Sequence, residues 1–252
     1  MSIRLHPLGV LVGLLALVPL PAAAQNTTFG TAVHLLIGQS PVRVTLATGS
    51  ADRFYDAPVV LNRSYCAEAT ASDTEVNDAD PTLTVYRQDQ STTVGTETGN
   101  LEPKGLVASR VCFIAPASET FYVQLSPASP TFENREYTLR VVETTLYTNW
   151  FFVAGDYSSF TLIRNTTNAP VSYSVFWRSA AGALLSTQSG SIAANGIAAL
   201  NARTIPAVLA AGSGSVDIAQ TGSPEAIVGS QTTLSGGTGL SFDTLYFQRR
   251  AW

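Results

Sequence analysis

Apolar and polar residues alternate one for one through most of this chain. Val42, Val44 and Leu46 share one side of a period-2 pattern, with Arg43 and Thr45 on the other. Leu83 and Val85 alternate with Thr82, Thr84 and Tyr86, and Phe121, Val123 and Leu125 with Tyr122 and Gln124. Tyr137, Leu139 and Val141 alternate with Thr138 and Arg140. Further on, Val171, Tyr173, Val175 and Trp177 oppose Ser172, Ser174 and Phe176. Val216 and Ile218 then oppose Ser215 and Asp217, and Leu245 and Phe247 oppose Thr244 and Tyr246. Successive side chains of a strand leave on opposite faces, so each run predicts a strand with one buried face. Turn residues punctuate the pattern at Asn195-Gly196, Gly222-Ser223-Pro224 and Gly236-Gly237. One short helix is predicted over residues 205–211, with Pro206 in its first turn and Gly212 just past its end.

The pattern predicts an all-β protein: two antiparallel β-sandwich domains in tandem, residues 25–143 and 144–252, after a signal peptide at 1–24. The boundary is set where the last strand of the first half ends, within residues 143–149. Charge changes at the same place. Residues 26–143 carry 14 acidic and 8 basic groups, a net of −6, whereas residues 144–252 carry 4 and 5, a net of +1.

The signal peptide rests on Arg4, the apolar run over residues 8–20, and Pro21-Ala22-Ala23-Ala24 as a cleavage site before Gln25. That run is shorter than the roughly 20 residues a membrane span needs. Export is therefore predicted, to a secreted, periplasmic or cell-surface location, with no membrane span in the mature chain. Cys66 and Cys112, each inside a strand-like segment, then predict one disulfide, because an oxidising compartment turns a lone pair of thiols into a staple.

Composition excludes more functions than it identifies. Lys104 is the sole lysine beside 13 arginines, charged residues make up 13% and the sequence pI is 5.1, so there is no basic stripe for nucleic acid. His6 lies in the signal peptide, leaving His34 as the one histidine of the mature chain. That is too few for a zinc site, and no Gly-x-Ser-x-Gly elbow accompanies it. His34 reads as a structural or surface residue. A carboxylate-pair hydrolase stays open, since acids are plentiful and their separation in space is not written in the sequence.

Two constellations remain. Asp73, Glu75, Asp78 and Asp80, with Asn77 among them, could supply the oxygen ligands of a calcium ion, or form a solvated acidic loop. Asp52 and Asp56 join such a site only if the fold brings their loops together. Aromatic residues recur in the second half at Trp150, Phe151, Phe152, Tyr157, Trp177, Tyr246 and Phe247. Several must be core. Phe151, Tyr157 and Tyr246 are the candidates for an exposed patch that binds an extracellular protein or glycan.

Four segments of the first half, in order, carry a likeness. They are Ala51-Asp52-Arg53-Phe54-Tyr55-Asp56-Ala57-Pro58, Asp80-Pro81-Thr82-Leu83-Thr84-Val85-Tyr86, Ile114-Ala115-Pro116-Ala117-Ser118-Glu119-Thr120-Phe121-Tyr122-Val123, and Tyr137-Thr138-Leu139-Arg140-Val141. Residues 30–143 thereby resemble the bacterial pre-peptidase C-terminal domain, a β-sandwich of exported proteins. The resemblance implies a sandwich fold and an accessory role without catalysis, and some relatives hold calcium in their loops. The second half, with Phe160-Thr161-Leu162-Ile163-Arg164-Asn165 and Ser191-Ile192-Ala193-Ala194-Asn195-Gly196, resembles small immunoglobulin-like sandwiches of bacterial exported proteins. The expectation is a secreted or cell-surface, non-enzymatic binding, adhesion or structural module without cofactor. The alternatives are a calcium-binding accessory domain to a separate hydrolase and an extracellular hydrolase of unrecognised type.

Overall fold

The computed structural model of the protein describes residues 26–46, 51–72, 81–98, 107–127 and 135–250. The chain is almost entirely β. Its first half runs through β1 (Val33–His34), β2 (Val42–Leu46), β3 (Arg53–Val59), β4 (Ser64–Ala71), β5 (Pro81–Tyr86), β6 (Thr93–Thr98), β7 (Val107–Ile114), β8 (Glu119–Pro127) and β9 (Arg135–Glu143). These form a five-stranded sheet in the order β1-β3-β8-β5-β6 and a four-stranded sheet in the order β2-β9-β4-β7. Every pairing is antiparallel except β1 with β3. The alternating residues of both sheets meet in one buried cluster, with Leu46, Leu83, Leu125 and Leu139 fully enclosed.

The centre of the four-stranded sheet is not apolar throughout. Glu68 of β4 is fully buried, yet Arg110 from β7 and Arg140 from β9 reach it at 2.6 and 2.7 Å. The register places all three residues in one row across the sheet. Two half-exposed guanidiniums thus compensate one enclosed carboxylate, which alone would be costly to bury. Before β1, residues 26–31 lie against the other sheet: the Asn26 amide donates to Phe54 O, and the Phe29 ring packs among Phe54, Tyr86 and Tyr122.

The second half comprises β10 (Leu146–Ala154), β11 (Tyr157–Asn165), β12 (Val171–Ser179), β13 (Leu184–Ile192), β14 (Ile197–Asn201), the helix α1 (Pro206–Ala211), β15 (Ser213–Gln220), β16 (Ile227–Ser235), β17 (Ser241–Tyr246) and β18 (Gln248–Arg249). All nine strands belong to one hydrogen-bonded sheet that folds over on itself at β10. One arm has β13, β12, β15 and β10, with β18 on its edge; the other has β14, β11, β16 and β17. Trp177, Val216 and Ile218 from the first arm and Ile163 and Ile227 from the second enclose a separate apolar cluster. α1 closes one end. It begins with Pro206 and stops at Gly212, whose φ of 74° only glycine adopts without strain, as the sequence pattern predicts.

Phe176 and Ala219 depart from the expected pattern. Both are buried although they lie on the face away from this core, on the side where β15 runs against β7. Cover supplied by another part of the chain leaves no trace in local periodicity.

Candidate functional site

Cys66 and Cys112 sit directly opposite each other on β4 and β7 and are joined as a disulfide. Cys66 Sγ lies 3.5 Å from Gly222 O, so the bridge also abuts the second half. Asp73, Glu75, Asp78 and Asp80 lie outside the described residues. Of the two acids that might have joined them, Asp52 accepts a hydrogen bond from Gln124 Nε2 at 2.5 Å, and Asp56 is bonded to His34 Nδ1. Among the described residues no three His, Cys, Asp or Glu gather as a metal-binding group.

The three aromatic candidates separate. Phe151 is corrected: it is fully buried, edge-on to Trp177 with ring centroids 5.3 Å apart. A break in the β10–β15 register between Thr148 and Phe151 changes which parity faces inward, so Leu146 and Thr148 point to the core before it and Phe151 and Val153 after it. Trp150 and Phe152 stack on the opposite side, with Tyr157 beside Phe152. Tyr157 is partly exposed, and Tyr246 is 75% exposed on β17.

Tyr246 borders a cleft of about 620 Å³ whose wall also holds Arg63, Tyr147, Asn149, Arg249 and Arg250. Arg63 comes from the turn before β4, Tyr147 and Asn149 from the start of β10, and the other two arginines from the chain's last strand and the residue after it. β18 pairs with β10 at Leu146 and Tyr147, which brings the C-terminal arginines beside the junction of the two halves. Below them, the buried Glu143 carboxylate accepts hydrogen bonds from Arg63 at 3.3 Å and from the Tyr147 hydroxyl. The Arg63 guanidinium lies 5.9 Å above the Tyr147 ring centre.

The electrostatics follow from these contacts. Burial and the hydrogen bond to Glu143 push the Tyr147 phenol well above its ordinary range, so it stays a donor. Burial alone would lower the Arg63 value, but Tyr147 and Glu143 outweigh it and hold the guanidinium charged. Arg249 pairs with the exposed Glu225 at 2.8 Å. The cleft therefore offers guanidinium forks, an aromatic face and amides, the groups that hold planar anions and polar rings.

No family model matches this chain, and no curated protein matches it. Among solved structures it is similar to a Bacteroides uniformis β-glucuronidase, at 11% identity and a TM-score of 0.20, over 80% of this chain and 26% of that one. A β-glucuronidase from glycoside hydrolase family 2 is similar at 8% identity and a TM-score of 0.20, over 77% of this chain and 23% of that one. The chain thus spans about a quarter of each, and likeness at that level says nothing of its activity.

Of the cleft residues, the pattern of the sequence singled out Tyr246 alone. Arg249 and Arg250 lie beyond the last alternating run, which ends at Phe247. Arg63 is 84 positions from Tyr147, and nothing in either segment marks them as neighbours. The usable signal was coarse: the second half has few acids, and two of its five arginines are adjacent at Arg249 and Arg250.

Proposed function

We propose that this chain is an exported, non-catalytic binding module whose cleft at Arg63, Tyr147 and Arg249 holds an anionic group of an extracellular partner. The observation that carries the reading is the convergence of three arginines on one open cleft. Among the described residues, the carboxylates paired with them are Glu143, which is buried and engaged by Arg63 and Tyr147, and Glu225, which is exposed and pairs with Arg249. The Cys66–Cys112 disulfide supports an oxidising destination. No helix among the described residues is long and apolar enough to cross a membrane. The four segments that resemble the pre-peptidase C-terminal domain fall on β3, β5, β9 and the turn into β8, which supports the accessory-sandwich part of the reading. Buried carboxylates held by arginine, at Glu68 and Glu143, are poorly placed for acid–base work.

Calorimetric titration of the oxidised protein with inorganic phosphate, sulfate and glucuronate tests the cleft. At least one should bind, more weakly as salt is raised. The Arg249→Gln/Arg250→Gln double variant should lose about ten-fold in affinity or more, the scale of a charge-assisted hydrogen bond. Absence of binding to all three, equal binding by the variant, or hydrolysis of glycosides by the purified protein would each overturn the reading.

A further inference from the structure

Tyr246 borders a second depression as well. On its other side a groove of about 360 Å³ crosses the outer face of the β14-β11-β16-β17 arm, lined by Leu162, Arg164, Ile197, Val228 and Ser230. The strand register builds it: Ile197, Arg164 and Val228 stand in one cross-strand row, and Leu162, Ser230 and Tyr246 in the next. Ile197 is 67% exposed, Val228 53% and Leu162 40%. Three aliphatic side chains and a tyrosine thus face water together on a sheet that has an enclosed core on its other face. Solvated singly they would mean little, but contiguous and concave they form an apolar surface of ligand-site dimensions. Arg164, in the middle of the row, pairs with no carboxylate among the described residues.

The two depressions share Tyr246 and differ in chemistry. One side is arginine-rich and polar, the other aliphatic with one arginine. Among the described residues, four guanidiniums, from Arg63, Arg164, Arg249 and Arg250, stand around this tyrosine, and the carboxylates paired with them are those of Glu143 and Glu225. A ligand complementary to both sides is negatively charged at one end and apolar at the other. We infer that the site takes a single anionic amphiphile, its headgroup in the arginine cleft and its alkyl chain laid across Tyr246 into the groove. This rests on the proposed anion-binding role of the cleft and names the class of ligand. A polypeptide fits the groove poorly. The groove lies on the face of the sheet and not along an edge, so a peptide backbone pressed on Leu162, Ile197 and Val228 would lose water without gaining hydrogen-bond partners. An alkyl chain has no such groups.

The test uses the full oxidised chain and three soluble probes: dodecyl phosphate below its micellar concentration, inorganic phosphate, and uncharged dodecyl maltoside. Dodecyl phosphate should bind at least about 50-fold tighter than inorganic phosphate, since each methylene taken out of water adds roughly four-fold and three of them already reach that gain. It should also bind more tightly than dodecyl maltoside. The Ile197→Ser/Val228→Ser variant changes only exposed positions. It should bind inorganic phosphate as the parent does and lose most of the gain from the alkyl chain. Equal affinity for dodecyl phosphate and phosphate would overturn the inference and leave the anion cleft standing, as would an alkyl gain that survives in the variant. Equal affinity for the two dodecyl probes would overturn it too, because head and tail would not be read together. Binding to vesicles of anionic lipid without binding to the monomer would replace a single amphiphile by a bilayer surface. If phosphate, sulfate and glucuronate all fail to bind the parent, the proposed function falls first.

Discussion

Asp89 shows how much a single exposed side chain can organise. In the turn between β5 and β6 its carboxylate accepts from Thr92 N at 2.8 Å, from the Thr92 hydroxyl at 2.5 Å and from Ser91 N at 3.0 Å. Gln90, inside the same turn, has a φ of 60°. The hydrogen bonds from Thr92, hydroxyl first and amide second, lower the Asp89 pKa from the ordinary 3.8 to about 2. A carboxyl whose folded value is depressed stabilises the fold fully above its unfolded value. That contribution is lost as pH falls from near 4 through about 2. In a carbon-detected NMR titration the Asp89 carboxyl should have its midpoint near 2. Thr92→Ala removes the largest cause and should move the midpoint back toward 3.8; a midpoint unmoved by that change would show that other groups hold the charge. At this scale the sequence was partly legible. Asp89 was one more acid among many, because its role depends on a turn conformation and not on a pattern. Tyr246 was found by alternation. Phe151 was misplaced by the same rule, since one irregularity in β10 reverses the parity of everything after it.

At the scale of elements, the seven alternating runs fall on β2, β5, β8, β9, β12, β15 and β17, and alternation said little about which strands meet. β15 illustrates the difference. Val216 and Ile218 announce a strand with a buried face, but its neighbours β12 and β10 lie far away in sequence, and the closeness of their approach is a property of the folded sheet. Gly214 is where that closeness is greatest. It stands between Phe151 on one side and Ser179 on the other. A Cβ there would sit 1.8 Å from Arg178 O and 2.8 Å from the Phe151 ring. The first obstacle is backbone and cannot rotate away. Gly214→Ala should therefore push β15 from β12 and cost at least about 2 kcal/mol, at the upper end of what overpacking costs. Urea unfolding of the variant would show the midpoint fall, and a loss below about 0.5 kcal/mol would mean the strands are less tightly apposed than described. A glycine beside a strand start reads in sequence as a turn residue; its need here comes from a carbonyl more than 30 positions away.

For the whole molecule, the two enclosed apolar clusters share no residue: the first takes its members from Leu35 to Val141 and the second from Leu146 to Phe247. Only Thr144 and Thr145 separate β9 from β10, and they are tied back to the start of β4. Thr144 donates to Ser64 Oγ at 2.9 Å, and Ser64 N donates to Thr145 Oγ1 at 2.9 Å. With the Arg63–Glu143–Tyr147 group, this makes a seam rich in polar contacts, each of modest net worth, and the apolar residues buried where β15 meets β7, Phe176 and Ala219, are few beside those of either core. The disulfide lies wholly within the first cluster's sheets. By the chain-entropy account, closing a loop of 46 residues restrains the unfolded state by about 4 kcal/mol, and the unfolded chain that gains freedom on reduction is that of the first half. Calorimetric scans should thus resolve two transitions. Reduction, or a Cys66→Ser/Cys112→Ser variant, should lower one of them by more than about 10 °C and leave the other in place. The first half would then be the labile unit, and the cleft, built mostly on the second, would lose affinity only as Arg63 and Glu143 are released from beneath it. A single transition that shifts as a whole would mean instead that the polar seam binds the two clusters into one cooperative body, with the arginine cleft at its centre.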